Sequence, residues 1–352
     1  MKKRVFLTSI LVIVLALTQC EKDPFVLPSD EGKWEPTPYY LKVPQGFPDY
    51  FLKQENALTE EGVALGKKLF FDPLLSKNRD VSCASCHLQS SSFSDPRQRS
   101  IGTNGTATSF HSMPIFNIAW MNEFFWDGRA KSREDQALQP LNNPLEMDLS
   151  WVEAVSRMSR DPEYPTMFEA AFGTSVIDSN LAVQAMVQYE MTLVSANTKF
   201  DAWLRGEASF TLEEEMGRII FNSERGDCFH CHGSILATDN SFHNNGLDSD
   251  AELQPGLFNV TRDEADFGKF KTPTLRNLAF TAPYMHDGRF KTIEQVVDFY
   301  SDSVQNNRNV DVLMKKANSG GLGLNKSEKE ALIAFMLTMT DSSFINDRTL
   351  VP

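Results

Sequence analysis

Strand-like alternation is scarce along this chain, which excludes a β-sandwich and any βαβ sheet, so the residues predict an all-α fold with few or no strands. Basic residues fall short of acidic ones, 34 against 47, for a formal net charge of −13. Such a chain is a poor nucleic-acid binder, and its charge suits either plain solvated surface or the docking of a small basic protein. A long apolar run is missing too. The one apolar stretch, Val5 to Leu17, is too short for an ordinary membrane span. With Lys2-Lys3-Arg4 before it and Thr18-Gln19-Cys20 after it, residues 1–20 read as an export signal, with a periplasmic address. Cys20 stands where a bacterial lipoprotein signal is cut and lipidated, which would make a lipid anchor the only link to the membrane. Gln19 departs from that pattern, which favours a small residue there, so ordinary cleavage or an uncleaved anchor stays open. Cysteine is the scarcest chemistry, with five residues in 352. Cys20 aside, every one of them falls in two pairs.

Those pairs are Cys83-Ala84-Ser85-Cys86-His87 and Cys228-Phe229-His230-Cys231-His232. Two cysteines two residues apart, followed at once by histidine, make the attachment signature of a c-type haem. The thiols add to the two vinyl groups on one porphyrin edge, and the histidine then ligates the iron from below. A four-thiolate zinc site usually draws on one compact stretch, whereas well over a hundred residues part these pairs. A thioredoxin-like redox motif needs one pair on a βαβ pattern that is absent here. The reading is therefore two covalent haems c, on Cys83, Cys86 and His87 and on Cys228, Cys231 and His232. Attachment outside the cytoplasmic membrane agrees with the export signal.

At 352 residues the chain has room for two domains. Residues 21–54, rich in proline and charge, read as a tether or extended arm. Thr59-Glu60-Glu61 starts a helix with Val63, Leu65, Leu69 and Phe70 on one side. Residues 89–108 are a long loop rich in serine, glycine and asparagine. Helical patterns cover Trp151–Met158, Leu181 to Trp203, a run from Thr211 through Met216, Ile219, Ile220 and Phe221, and Lys326 to Met339. An internal repeat organises these pieces. Trp126-Asp127-Gly128-Arg129 matches His286-Asp287-Gly288-Arg289, and Asn117-Ile118-Ala119 matches Asn277-Leu278-Ala279, at one offset of 160 residues. The haem motifs are offset by 145. Each half thus carries a haem motif and, downstream, an Asp-Gly-Arg segment leading to a helix capped by Ser132 or Thr292. The predicted domains are 55–205 and 206–345.

The sixth iron position decides what a haem does. After Thr292 the helix offers Val296, Val297 and Tyr300 on one face. Tyr300 is either a phenolate ligand to the second iron or a core tyrosine closing an apolar stripe. At the repeat offset its counterpart is Pro140, which has no ligating side chain, so the first haem is expected to be open. Glu146, six residues on, is either an acid/base group above that haem or a surface or helix-capping glutamate. Trp126, standing where the second half has His286, is either an indole between two redox centres or a large core aromatic.

These residues carry a resemblance. Cys83–His87, Met113–Asn117, Phe125–Arg129, Asn143–Met147, Cys228–His232, Lys271–Asn277 and Ala282–Gly288 together resemble the bacterial di-haem cytochrome c peroxidase and MauG family, over about residues 55–340. The resemblance implies two α-helical cytochrome c domains, with a peroxidatic haem in the first and a six-coordinate haem in the second. It implies an intervening Trp126, a distal Glu146 and a calcium ion between the domains, held by the Thr281 and Pro283 carbonyls and by Asn117. Homodimers are frequent in the family. Two departures matter. Ordinary members carry methionine where Tyr300 stands, whereas MauG carries tyrosine, which lowers a haem potential. Ordinary members also cap the peroxidatic haem with a loop histidine, where Ile101-Gly102-Thr103 offers threonine. His111 could replace it only after a shift of the loop. His230 is read as incidental, and His243 and His286 as supporting residues.

Three functions follow as expectations. The favoured one is reduction of hydrogen peroxide to water, with electrons relayed through the second haem from a small cytochrome or other redox protein. A MauG-like oxidation of a partner protein is the alternative. A di-haem electron carrier is the third, and Pro140 and Glu146 speak against it.

Overall fold

The computed structural model describes residues 34–50 and 56–352. The export signal, Cys20 and parts of the arm lie outside the described residues. Glu35–Pro352 makes one compact unit. Its helices are α1 (Glu60–Phe71), α2 (Arg133–Asn142), α3 (Trp151–Arg160), α4 (Tyr164–Phe172), α5 (Ser179–Met191), α6 (Lys199–Leu204), α7 (Leu212–Phe221), α8 (Phe229–His232), α9 (Phe258–Thr261), α10 (Ile293–Asp302) and α11 (Lys326–Leu337). Among the described residues the only sheet pairs Phe242–His243 with Phe270–Lys271, antiparallel. The mostly helical expectation is met. No helix of the described residues is long and apolar enough to cross a membrane.

Each half is built on one crossed pair of helices, α1 with α5 and α7 with α11. The starts of α1 and α7 are set by threonines. Thr59 Oγ1 accepts from Gly62 N at 3.0 Å, and Thr211 Oγ1 from Glu214 N at 3.2 Å, each satisfying an otherwise unpaired first-turn donor. The crossings are equally matched. A Cβ on Gly66 would stand 1.8 Å from the Ala185 carbonyl oxygen, and one on Gly217 would stand 1.9 Å from that of Ala331. Only glycine lets the two backbones come so close. Leu65, Leu69, Phe70, Phe168 and Tyr189 are buried around the first crossing, and Ile220, Phe221, Leu332 and Phe335 around the second. A small third cluster gathers Leu247, Phe299, Val304 and Ala317.

The repeat read at an offset of 160 is a structural one. Phe124 bridges Ala130 and Tyr284 bridges Phe290, closing the same tight turn twice. Phe125 (φ 63°) and Met285 (φ 74°) are left-handed in both copies, as are Asn117 (φ 55°) and Asn277 (φ 61°). Asp127 pairs with Arg129 at 2.9 Å, and Asp287 with Arg289 at 2.7 Å. Ser132 and Thr292 then cap α2 and α10, so Pro140 and Tyr300 occupy equivalent places on equivalent helices.

One expectation is corrected. The helix expected from Leu181 to Trp203 breaks after Met191 and resumes at Lys199. The link is held by tertiary bonds: Asn117 Nδ2 donates to the Ser195 carbonyl and Asn117 Oδ1 accepts from Ser195 N, both at 2.9 Å. Asp341 accepts from Ser195 Oγ and Asn197 N. The helix expected through Met216, Ile219, Ile220 and Phe221 is α7, with Ile220 and Phe221 toward the core and Met216 and Ile219 42% and 54% exposed. The Gly66 and Gly217 crossings yield a prediction. Gly66→Ala and Gly217→Ala should each destabilise the protein by about 3 kcal/mol, since an overpacked helix contact forces the backbones apart. Thermal unfolding followed by circular dichroism checks this, and an unchanged midpoint for either variant contradicts it.

Candidate functional site

Both haem motifs open into cavities. Cys83, Cys86 and His87 line one of about 510 Å³. Cys228, Cys231 and His232 line a second of about 230 Å³. None of these four cysteines is in a disulfide. The first motif winds through a 3-10 turn, Cys83–Ser85, in which Ser85 Oγ accepts from Ser82 N at 3.0 Å. This compact turn brings His87 back beside its cysteines, with His87 N donating to the Cys83 carbonyl at 3.0 Å. The second motif does the same with α8, and His232 N donates to the Cys228 carbonyl at 3.0 Å. The imidazoles are oriented alike. His87 Nδ1 lies 2.9 Å from the Phe93 carbonyl, and His232 Nδ1 lies 2.9 Å from that of Ala237. A carbonyl can only accept, so Nδ1 carries the proton and each Nε2 keeps its lone pair for a metal. Burial holds both rings below the usual histidine range, which keeps them neutral. The donor sets fit two covalently attached haems.

The rest of the first cavity is polar in one place. Pro140, Gln136 and Glu146 line it with Arg129. Asn143 Nδ2 donates to Glu146 Oε1 at 2.6 Å. Burial raises the Glu146 carboxyl above its ordinary range, against the opposing pull of the Arg129 guanidinium and of Asn143. Glu146 is neither at the surface nor a helix cap. The neighbouring loop is pinned to it. Thr103 N donates to the Glu146 carbonyl at 2.8 Å, and Thr103 Oγ1 to Asp80 at 2.5 Å. A Cβ on Gly102 would meet the Leu145 carbonyl oxygen at 2.2 Å. The loop therefore lies on the backbone of the Glu146 segment. His111 also lines this cavity, as it does the second, and its Nε2 lies 3.4 Å from Ser94 Oγ.

In the second cavity Tyr300 sits with Cys228, Cys231 and His232. Asn245 Nδ2 donates to the Tyr300 phenol oxygen at 2.9 Å and also approaches Met285 Sδ at 3.8 Å. Burial pushes the phenol up to about 12, while the Asn245 bond works the other way by favouring the phenolate. His243 is clamped between Asp239 at 2.8 Å and Asp311 at 2.7 Å. Bonds to Asp239 first, then to the Cys231 sulfur and Asp311, raise it to about 11.

Trp126 lines both cavities. It is 7% exposed, and its indole N–H donates to the His111 carbonyl at 2.8 Å. His111 N donates in turn to the His286 carbonyl at 2.9 Å, and the Trp126 and His286 rings meet edge to face at 6.5 Å. His286 stacks on Phe270 at 3.7 Å, and burial holds it down at about 4. His230 is half-buried and bonds to Asp227 at 3.1 Å and Lys315 at 3.1 Å, outside either cavity.

Known proteins with this arrangement give the comparison. Residues 60–209 match the model of the di-haem cytochrome c peroxidase family. The methylamine utilization protein MauG of Methylorubrum extorquens is 37% identical over 286 residues, covering 81% of this chain and 79% of its own. The chain belongs to the di-haem cytochrome c peroxidase and MauG family. The cytochrome c551 peroxidase of Nitrosomonas europaea is 34% identical over 280 residues, covering 78% of this chain and 79% of its own. Among solved structures, a MauG-like protein associated with microbial copper homeostasis superposes with a TM-score of 0.82 at 33% identity, covering 89% of this chain and 98% of its own.

Asn117, the only side chain expected on the calcium ion, bonds both backbone groups of Ser195. Its repeat partner Asn277 does a similar job, accepting from Asp341 N at 2.8 Å, so this asparagine serves the fold of each half. Asn117 Oδ1 keeps a second lone pair, so the Ser195 bond does not remove it from the expected calcium set with the Thr281 and Pro283 carbonyls. Sequence reasoning also missed Gln136, Asn245 and Glu190. Gln136 lies ten residues past Trp126, and nothing in its helix pattern marks it. Asn245 lies in an irregular segment with no pattern at all. The prediction from this geometry concerns haem count. Intact mass of the exported protein should show two covalent haems, and Cys83→Ala with Cys86→Ala should show one. Two haems remaining in that double variant would contradict the assignment.

Proposed function

We propose that this protein is an exported di-haem peroxidase reducing hydrogen peroxide to two waters, with two protons and two electrons, the electrons entering through the second haem from a small cytochrome or similar redox protein. Residues 1–20 carry it to the periplasm, where lipidation of Cys20 tethers it. Residues 55–205 form the peroxidatic half and 206–345 the electron-transfer half. The observation that carries this reading is the first cavity itself. A half-buried carboxyl, Glu146, lines it together with Pro140, and Trp126 is shared with the second cavity. The bound haem supplies an iron at which peroxide can bind and be reduced.

The side chains do the proton work. Glu146 as carboxylate takes the proton from one peroxide oxygen and returns it to the other, which leaves as water. Asn143 holds Oε1 from one side, and Arg129 supplies a positive charge that keeps the carboxylate within reach despite burial. Trp126, pinned through its N–H, spans the two cavities and keeps an aromatic path between them. The neutral Nε2 of His87 and of His232 would hold the two irons. The Tyr300 phenol, supported by Asn245, would supply an oxygen donor to the second.

A second reading is favoured by Tyr300 alone. An oxygen ligand stabilises higher oxidation states than a thioether does, which suits withdrawal of electrons from a partner protein in a MauG-like oxidation. Two measurements test these readings. Glu146→Gln should slow peroxide reduction by about 10²–10⁴-fold, the usual worth of a positioned acid/base group, while absorbance still reports two haems. Wild type should lose activity as pH falls through the raised Glu146 value, because only the carboxylate accepts a proton, and this acid limb should vanish in the variant. An active variant that keeps the limb would remove Glu146 from the mechanism. Secondly, the fully oxidised protein mixed with stoichiometric peroxide should shift its Soret band at once in stopped-flow absorbance, without prior reduction. A lag until one electron is added would mean that a ligand closes the first haem at rest.

A further inference from the structure

One buried acid has no part in that mechanism. Glu190, on the last turn of α5, is 3% exposed. Its Oε2 is buried with no hydrogen-bond partner. Met186, one turn earlier, and Glu190 both line the first cavity, in company with Cys83, Cys86, His87 and Glu146. Glu190 is close enough to Cys83 for its charge to act on that sulfur. A carboxyl in such a place is unusual, because an unpaired buried charge is expensive and a neutral side chain would pack as well.

We propose that Glu190 is a redox-linked proton site of the first haem, taking up a proton when that haem gains an electron and releasing it when the electron leaves. The inference rests on the reading that the first cavity holds a haem. The balance is simple. A ferric haem, one electron and one proton go to a ferrous haem with Glu190 protonated, the electron coming from the donor protein. The physical cause is Coulombic. The ferric haem carries one more positive charge than the ferrous, and that charge stabilises a carboxylate for which the surrounding protein provides nothing. In reverse, loss of that electron frees a proton inside the cavity in which two protons are consumed.

The surroundings leave the haem as the main influence on this carboxyl. Burial alone moves it, to about 8. The ionisable groups of the packed elements are engaged elsewhere. On α1, Lys67 donates to the Thr349 carbonyl and Lys68 pairs with Glu163. On α2, Arg133 donates to the Ile118 and Ala119 carbonyls. On α3, Arg157 pairs with Glu153, and on α4 the Tyr164 hydroxyl donates to Asp72. The adjacent Tyr189 hydroxyl donates to the Leu350 carbonyl. Within the cavity, Glu146 has its own partners in Asn143 and Arg129.

Spectroelectrochemical titration of wild type, Glu190→Gln and Glu146→Gln tests this, with both haems counted first by intact mass. The midpoint potential of the first haem should become more negative as pH rises through the region around 8 in wild type and in Glu146→Gln. In Glu190→Gln it should be flat there, with the second haem unchanged as an internal control. A reduced-minus-oxidised infrared difference spectrum of wild type should show a protonated-carboxyl band, which needs no variant to fold. Two haems present and a first-haem potential whose pH dependence survives in Glu190→Gln would overturn this proposal alone, as would absence of the infrared band. A missing first haem would overturn the reading beneath it as well.

Discussion

Two linked hydrogen bonds, from the Trp126 indole to the His111 carbonyl at 2.8 Å and from the His111 N–H to the His286 carbonyl at 2.9 Å, join the two halves of this protein. An indole N–H at 7% exposure has no water to turn to, so a single carbonyl sets where the ring stands. That carbonyl is not free to move, because the His111 N–H is bound to the His286 carbonyl in the other half. The consequence is specific to a duplicated fold. Trp126 and His286 occupy the same repeat position, and their rings meet at 6.5 Å, so the two copies of one site face each other across the seam. One copy became the aromatic shared by both cavities. The other became a neutral imidazole packed flat on Phe270.

Around that seam the two halves diverge by substitution at equivalent places. Pro140 and Tyr300 sit on matched helices, so one cavity has no ligand there and the other has a phenol held by Asn245. The cavity without the ligand keeps two carboxyls, Glu146 and Glu190, both pushed upward because an apolar enclosure disfavours the charged form. Beside the second motif His243 lies between Asp239 and Asp311. A cavity with two carboxyls and one with a phenol come from one duplicated plan.

Much of this was legible in the chain because its signals are local. Cysteine spacing, the Asp-Gly-Arg repeat and the capping threonines at 59, 211 and 292 act over a few residues, and each appears where expected. The offset of 160 also placed Pro140 opposite Tyr300 without any structure. What stayed hidden depends on distant partners. The stretch Leu181 to Trp203 has a helical pattern throughout, yet the Asn117 carboxamide captures Ser195 and stops the helix. Glu190 lies on a helix segment buried on every side, so no periodic pattern sets it apart, and only the cavity shows what it faces.

The sequence by itself determined that two haem-attachment motifs are present, that the chain is a duplicated helical fold, and that Pro140 stands where the second half has Tyr300. These follow from covalent chemistry and short-range spacing, which survive any arrangement of the rest. Only the tertiary structure decided that Trp126 belongs to both cavities, that Thr103 is tied down beside Glu146, and that Glu190 is sealed in with no partner. Those facts depend on which backbones approach, as at Gly66 and Gly217, and on where water is excluded. Burial is a property of the whole packed chain, and with it goes the ease with which an acid keeps its proton.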